Sequence, residues 1–282
     1  MLEREEYVEQ AYLFRMIGER LPDNVPLQEI LEHAKQEILA TTKLPHAIDF
    51  LAAELKHSGG MAPAMTRLAH YFAPFQTYVV REAESEKGRL DIRTAVEILR
   101  SESDYRARFR GPQGLFMFQF ECLCRNRLKY DPGLGAMALD PAYDDAWREW
   151  ILLVRSQIGL VDLADLIFVR SAEYARRRAL AEEALPDVPP SKAVLFGEKE
   201  GKIAWAHRGK DPLYFFASLQ RHLDYPAVPR LKQHDDSQEQ LPLLIRRLER
   251  LETRMKLLEE ENKQAGLDIT KFYGDKPPEF PS

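Results

Sequence analysis

Residues 241–262 read LPLLIRRLERLETRMKLLEEEN, and how this stretch pairs decides what the rest of the chain has to supply. Leu241, Leu244, Leu248, Leu251, Met255, Leu258 and Asn262 follow one another at alternating steps of three and four. That is the a/d spacing of a coiled-coil seam. With Leu241 at position a, Arg247 and Arg254 fall at g, and Glu252 and Glu259 fall at e. A parallel partner sets each arginine against a glutamate, whereas an antiparallel one sets like charge against like. Asn262 at a points the same way, because a buried asparagine is best satisfied by its own copy in register. The spacing predicts a parallel homodimer through residues 241–262. The competing arrangement folds this helix onto its own body, with Leu243, Ile245 and Leu257 widening the apolar stripe.

Outward from that segment the composition is that of a globular protein. In 282 residues, 45% are hydrophobic, enough for a sizeable core, and 30% are charged. The net charge of -5 gives no overall basic field, so nucleic acid is disfavoured as a partner. Cys122 and Cys124 stand two apart on a helical stretch, a poor geometry for a mutual disulfide, and no disulfide framework is present. The acidic start, Met1-Leu2-Glu3-Arg4-Glu5-Glu6, has no signal-peptide character. The longest apolar run, Trp150 to Val154, falls far short of the roughly 18 residues a bilayer span needs. The expectation is a cytoplasmic protein without a membrane segment.

Apolar residues at helical spacing predict helices over 3–21, 27–41 and 46–57, ended by Pro22 and by Gly59-Gly60, and short turns between them suggest an antiparallel bundle. Pro74 fits the first turn of a helix to about Lys87, and Asp91 reads as the N-cap of a helix to Phe109. Gly111-Pro112 breaks the chain before a helix over 115–128. Asp131-Pro132, Asp140-Pro141 and Asp211-Pro212 share one grammar, an Asp cap followed by proline at the first helical position. Residues 142–157 and 160–184 are the most apolar helices, and Trp147, Trp150, Ile151, Leu163, Leu166, Ile167 and Val169 are the expected core.

Three prolines between Leu185 and Pro190 mark a domain boundary. Beyond it, Ala193–Phe196 and Ile203–Ala206 flank Gly197-Glu198-Lys199-Glu200-Gly201, which reads as a β-hairpin with a five-residue loop. The expected fold is mainly α: a multi-helix, bundle-like body over 1–185 and a β-hairpin plus helix module over 191–225. A linker over 226–237, a C-terminal coiled-coil helix over 238–265 and a partly disordered tail over 266–282 follow.

Chemistry-bearing patterns are sparse. Glu54 and His57 form one Glu-x-x-His element, but di-iron bundles take that element from two helices. Asp144, Asp145, Asp162 and Asp165 would place carboxylates on helices as a magnesium site does, yet acids in a first turn also stabilise the helix dipole. Gly133-Leu134-Gly135-Ala136-Met137-Ala138 has the letters of a dinucleotide loop but no strand before it. No cofactor motif is complete, and no metal set is assigned. Lys199, Lys202, Arg208 and Lys210, with His207, are a candidate anion-binding set ahead of a helix start, diluted by Glu198, Glu200 and Asp211.

The reading that follows is a helical scaffold or adaptor that homodimerises through 241–262 and offers its body to a protein partner. The alternatives are an all-helical metal-dependent enzyme using the carboxylates above, and a dimeric nucleic-acid or phosphate binder using the basic hairpin region. Whether the chain catalyses anything is left open by these residues.

Overall fold

The computed structural model describes residues 2–23, 25–85, 90–108, 110–182, 193–230 and 255, and every regular element among them is helical. The chain divides into two compact units, residues 1–231 and 232–282. The first unit begins with α1 (Arg4–Arg20), a 3-10 turn (Leu21–Asp23), α2 (Leu27–Glu37), α3 (Leu44–Ser58) and α4 (Ala62–Arg67). It continues with α5 (Pro74–Glu84), α6 (Ile92–Arg108), α7 (Pro112–Arg125), α8 (Tyr130–Ala138) and α9 (Asp145–Gln157). Last come α10 (Leu163–Val169), α11 (Ala172–Glu182), α12 (Glu198–His207) and α13 (Pro212–Leu223). No helix among the described residues is long and apolar enough to cross a membrane.

Helix α7 is buried from Gly114 to Leu123 without a polar face turned to water, the mark of a helix enclosed on all sides. Phe116 on it meets Trp150 of α9 at 4.7 Å between ring centroids, and Phe196 packs edge-on against both Trp147 and Trp150 at 5.1 Å. Helix α1 lies along α6, and α2 and α3 pack beside α1. The expected core residues are buried except Val169, which is 44% exposed at the end of α10.

The helix starts follow their caps. Asp91 accepts from the Thr94 amide at 2.9 Å, and Asp211 accepts from the Leu213 amide at 2.8 Å ahead of Pro212. Gly59 ends α3 with φ 73°, a left-handed conformation that glycine adopts without a Cβ penalty. Asp131-Pro132 and Asp140-Pro141 depart from this grammar. Asp131 lies inside the first turn of α8, after the N-cap Lys129, while Asp140-Pro141 forms a turn and α9 starts later, capped by Asp144 onto the Trp147 amide. The stretch 160–184 is two helices rather than one. It breaks at Arg170-Ser171, where the Arg170 carbonyl accepts from the Leu195 and Phe196 amides and the Phe196 carbonyl accepts from Ala172.

The β-hairpin expected over 193–206 is corrected here. Its first run makes a single isolated bridge, Phe196 to Ser171, and its loop and second run form α12. Gly201 is the reason the pattern misleads. It serves close packing rather than a turn: a Cβ built on it would stand 2.7 Å from Ser171 Cβ and 2.8 Å from Glu173 Cβ. Glu198 and Glu200 occupy the first turn, where acids suit the helix dipole, and Lys202 reaches back to Glu198 in an i,i+4 pair. Helix α12 packs on α10, α11 and α13 within the first unit.

The proline boundary at 185–190, the tail, and the seam except for Met255 lie outside the described residues. Met255 is helical and 63% exposed.

Candidate functional site

Helix α9 carries Arg148, Leu152 and Arg155 at i, i+4 and i+7, a spacing that stacks three side chains on one face. That face forms one wall of a groove of ≈ 570 Å³, completed by Ala136 and Leu139 at the end of α8. The opposite wall comes from α4, α5 and the turn between them, with Phe72 in that turn and Tyr78 and Arg81 on α5. Leu139 is 70% exposed and Leu152 is 43% exposed, so the groove presents apolar surface to solvent. Three arginines and no carboxylate line it among the described residues, although the whole chain carries a net charge of -5.

Each arginine is held by a neighbour at or beside the groove. Arg148 donates to the Ala138 carbonyl at 3.2 Å and to Asp145 at 2.7 Å. Arg155 donates from Nε to Asp131 at 2.7 Å, and the guanidinium holds that carboxyl below its ordinary value through this hydrogen bond. Arg81 donates to the Thr66 hydroxyl at 3.1 Å. Arg148 is held at Nε and one terminal nitrogen, Arg155 at Nε and Arg81 at one terminal nitrogen, so all three keep further donors for an incoming anion, since each guanidinium has five N–H groups in a planar fork.

A second, more enclosed cavity of ≈ 220 Å³ lies between α7, α10 and α13, walled by Phe120, Tyr130, Phe215 and Phe216. Cys124 faces it, and burial pushes its thiol pKa up to about 11, which leaves it protonated and a poor nucleophile near neutrality. His207 and Lys210 lie at its edge. The His207 ring is engaged on both sides, Nδ1 with the Ile203 carbonyl at 2.8 Å and Nε2 with the Ser218 hydroxyl at 3.2 Å.

The anion set is dispersed. Lys202 pairs with Glu198, while Arg208 pairs with Asp165 and covers the Trp205 ring at 4.3 Å. Lys199 sits in the first turn of α12 and Lys210 beyond its last residue. A rise of 1.5 Å per residue puts about 12 Å of helix between Lys199 and His207 alone. The acidic set is likewise occupied by local structure. Glu54 pairs with Arg67, Asp144 caps α9, Asp145 pairs with Arg148, and Asp162 caps α10 while also accepting from the Gly209 amide at 3.0 Å. Glu54, His57 and these aspartates do not come together, and no three His, Cys, Asp or Glu side chains among the described residues form a metal-ligating group.

Inside the body sits a polar cluster that residue spacing did not mark. Arg106 of α6 bridges Glu102 and Asp140, all three fully buried, and Gln119 donates to Glu102 at 2.6 Å while accepting from Tyr143 at 2.7 Å. Burial raises the Glu102 pKa, which Arg106 opposes. This cluster joins α6, α7 and the turn before α9. The groove arginines were also missed. Their signal was present in the spacing, because Arg148 and Arg155 frame Leu152 on the exposed side of α9, opposite the buried Trp147, Trp150, Ile151 and Val154. No protein-family model, curated protein or solved structure matches this chain.

Proposed function

We propose that the chain is a helical adaptor that homodimerises in parallel through residues 241–262 and holds a protein partner on its helical body. The observation that carries this reading is the unbroken a/d series from Leu241 to Asn262 with arginines at g and glutamates at e. Met255, at an a position, is helical and exposed in the single chain, as a seam residue awaiting its copy would be. The arginine-lined groove supplies a surface for the partner. A metal-dependent reaction finds less support, because Asp144 and Asp162 are spent on helix caps and Glu54, Asp145 and Asp165 on arginines.

The test is a pair of substitutions, Leu248→Lys and Leu251→Lys, read by light scattering and circular dichroism. The doubly substituted chain should keep the helical signal of its body and show half the mass of the wild type. An unchanged mass refutes the pairing assignment.

A further inference from the structure

We infer that the groove between α5 and α9 takes an acidic amphipathic helix of a partner protein. Carboxylates seven residues apart on that helix would meet Arg148 and Arg155, and the apolar side chain between them would lie on Leu139 and Leu152. The inference deepens the adaptor reading but asks nothing of residues 241–262.

Three observations select this occupant. First, Arg148, Leu152 and Arg155 repeat at i, i+4 and i+7. Seven residues of helix rise about 10.5 Å, so a second helix laid along α9 meets both charges only when its own acids are also two turns apart. Second, the lining carries three arginines and no carboxylate among the described residues, in a chain of net charge -5. Asp145 and Asp131 already balance Arg148 and Arg155, so the excess positive charge sits at Arg81 and an acidic segment would be drawn to it and to the unused donors of the other two guanidinium groups. Third, the space between the arginines is apolar, with Leu139 and Leu152 exposed and Phe72 and Tyr78 behind them. Phosphate backbones gain nothing from such a floor, whereas the apolar side of an amphipathic helix does, as in helix-in-groove recognition. Arg81 on the far wall is tied to no carboxylate among the described residues, only to the Thr66 hydroxyl, and is placed to close over a third acid.

The full chain, immobilised, should be panned against a display library of helical peptides about four turns long with randomised surface positions. Enriched peptides should carry Asp or Glu pairs seven apart, with Leu, Ile, Met or Phe between them. Binding should weaken as salt rises, because exposed arginine–carboxylate pairs are screened. The doubly substituted Arg148→Glu, Arg155→Glu chain should bind the selected peptides about tenfold or more weakly, consistent with arginine anchors. Arg81→Glu and the surface change Leu139→Ser each leave α9 intact, and each should cost several-fold. Peptides without the paired acids, or peptides indifferent to all these changes, overturn the inference. So does retention on phosphatidylserine vesicles, lost in the Arg148→Glu, Arg155→Glu chain, with no peptide selected. The Leu248→Lys, Leu251→Lys chain should still bind the peptides, so failure of pairing and failure of the groove are read separately.

Discussion

The guanidinium of Arg106 on α6 faces the carboxylate of Asp140, in the turn before α9, in a two-pronged ion pair closed off from solvent. The same arginine also holds Glu102, so one cation serves two buried carboxylates. Asp140 further accepts from the Ala142 amide at 2.9 Å, which fixes the turn itself. The pair thereby ties the packing of α6 to the course of the chain into α9, the helix that bears the groove.

Removing Asp140 takes away the two-pronged partner of a fully buried cation and leaves Arg106 facing Glu102 alone. Asp140→Ala should cost about 3–5 kcal/mol, the range seen when a buried ion pair is broken. Urea denaturation followed by circular dichroism measures it. A loss no larger than that of a surface substitution would show that water reaches Arg106.

Glu102 makes a pH-dependent contribution of known sign. Burial favours its neutral form, and Arg106 only partly offsets this, so the folded chain binds this proton more tightly than the unfolded chain does. Stability from this group is therefore fully present below the ordinary carboxylate value of about 4.3 and is lost as pH rises through the higher folded value. Its Oε2 atom has no hydrogen-bond partner among the described residues, which adds to the cost of ionising it. Measured by urea midpoints, the stability of the wild type relative to Glu102→Gln should fall as pH rises from about 4 toward 7. A difference that is flat across this range would mean that Glu102 stays ionised throughout.

Gly201 separates the two structures that residues 193–206 suggest. In a hairpin loop, Gly201→Ala would be a mild change. In α12, the added methyl meets the Cβ atoms of Ser171 and Glu173, both buried and neither the far end of a flexible chain. Overpacking of this kind costs about 1–3 kcal/mol. Thermal or urea unfolding of Gly201→Ala should show such a loss, although alanine itself favours helix over glycine by about 1 kcal/mol. A stabilised variant would contradict the close approach of α12 to α11.

How far the sequence carried the fold depended on whether a signal was local. Asp91, Asp211-Pro212 and Gly59 act through their own backbone neighbours, and the helix ends they mark are where spacing put them. Asp140-Pro141 has the same letters, but its carboxylate is claimed by Arg106, 34 residues away, and no helix starts there. Gly201 looked like a turn because its need for closeness comes from Ser171, across a break in another helix. In hindsight Glu198 and Lys202, an i,i+4 pair of the stabilising polarity, were a local argument for helix that the two flanking glycines outweighed. The groove was half legible: the spacing of Arg148, Leu152 and Arg155 is local, but the wall that faces them, from Phe72 to Arg81, is set by tertiary packing.

Asp162 decides between a structural and a metal-binding use of the acidic helix starts. One of its oxygens caps α10 at the Ala164 amide, and the other accepts from Gly209 beyond α12. Asp162→Ala should lower stability by about 1–2 kcal/mol through the lost cap. Thermal unfolding with and without magnesium should show the same decrement in both. Stabilisation of the wild type by magnesium that the variant lacks would restore the metal reading.

The direction of pairing can be tested with a single cysteine. In a parallel, in-register dimer the two copies of position 262 meet across the seam, whereas an antiparallel pair carries them to opposite ends. Asn262→Cys should therefore give a covalent dimer under mild oxidation, seen as a doubled mass that a reductant reverses. The native thiols do not compete. Cys122 is fully buried with its pKa raised well above normal by that burial, and Cys124 is pushed up to about 11, so neither offers much thiolate near neutrality. The wild type treated in the same way should stay uncrosslinked. If light scattering finds a dimer while Asn262→Cys stays reducible to nothing new, the two helices run in opposite directions, and the matching of Arg247 and Arg254 with Glu252 and Glu259 is not what holds them.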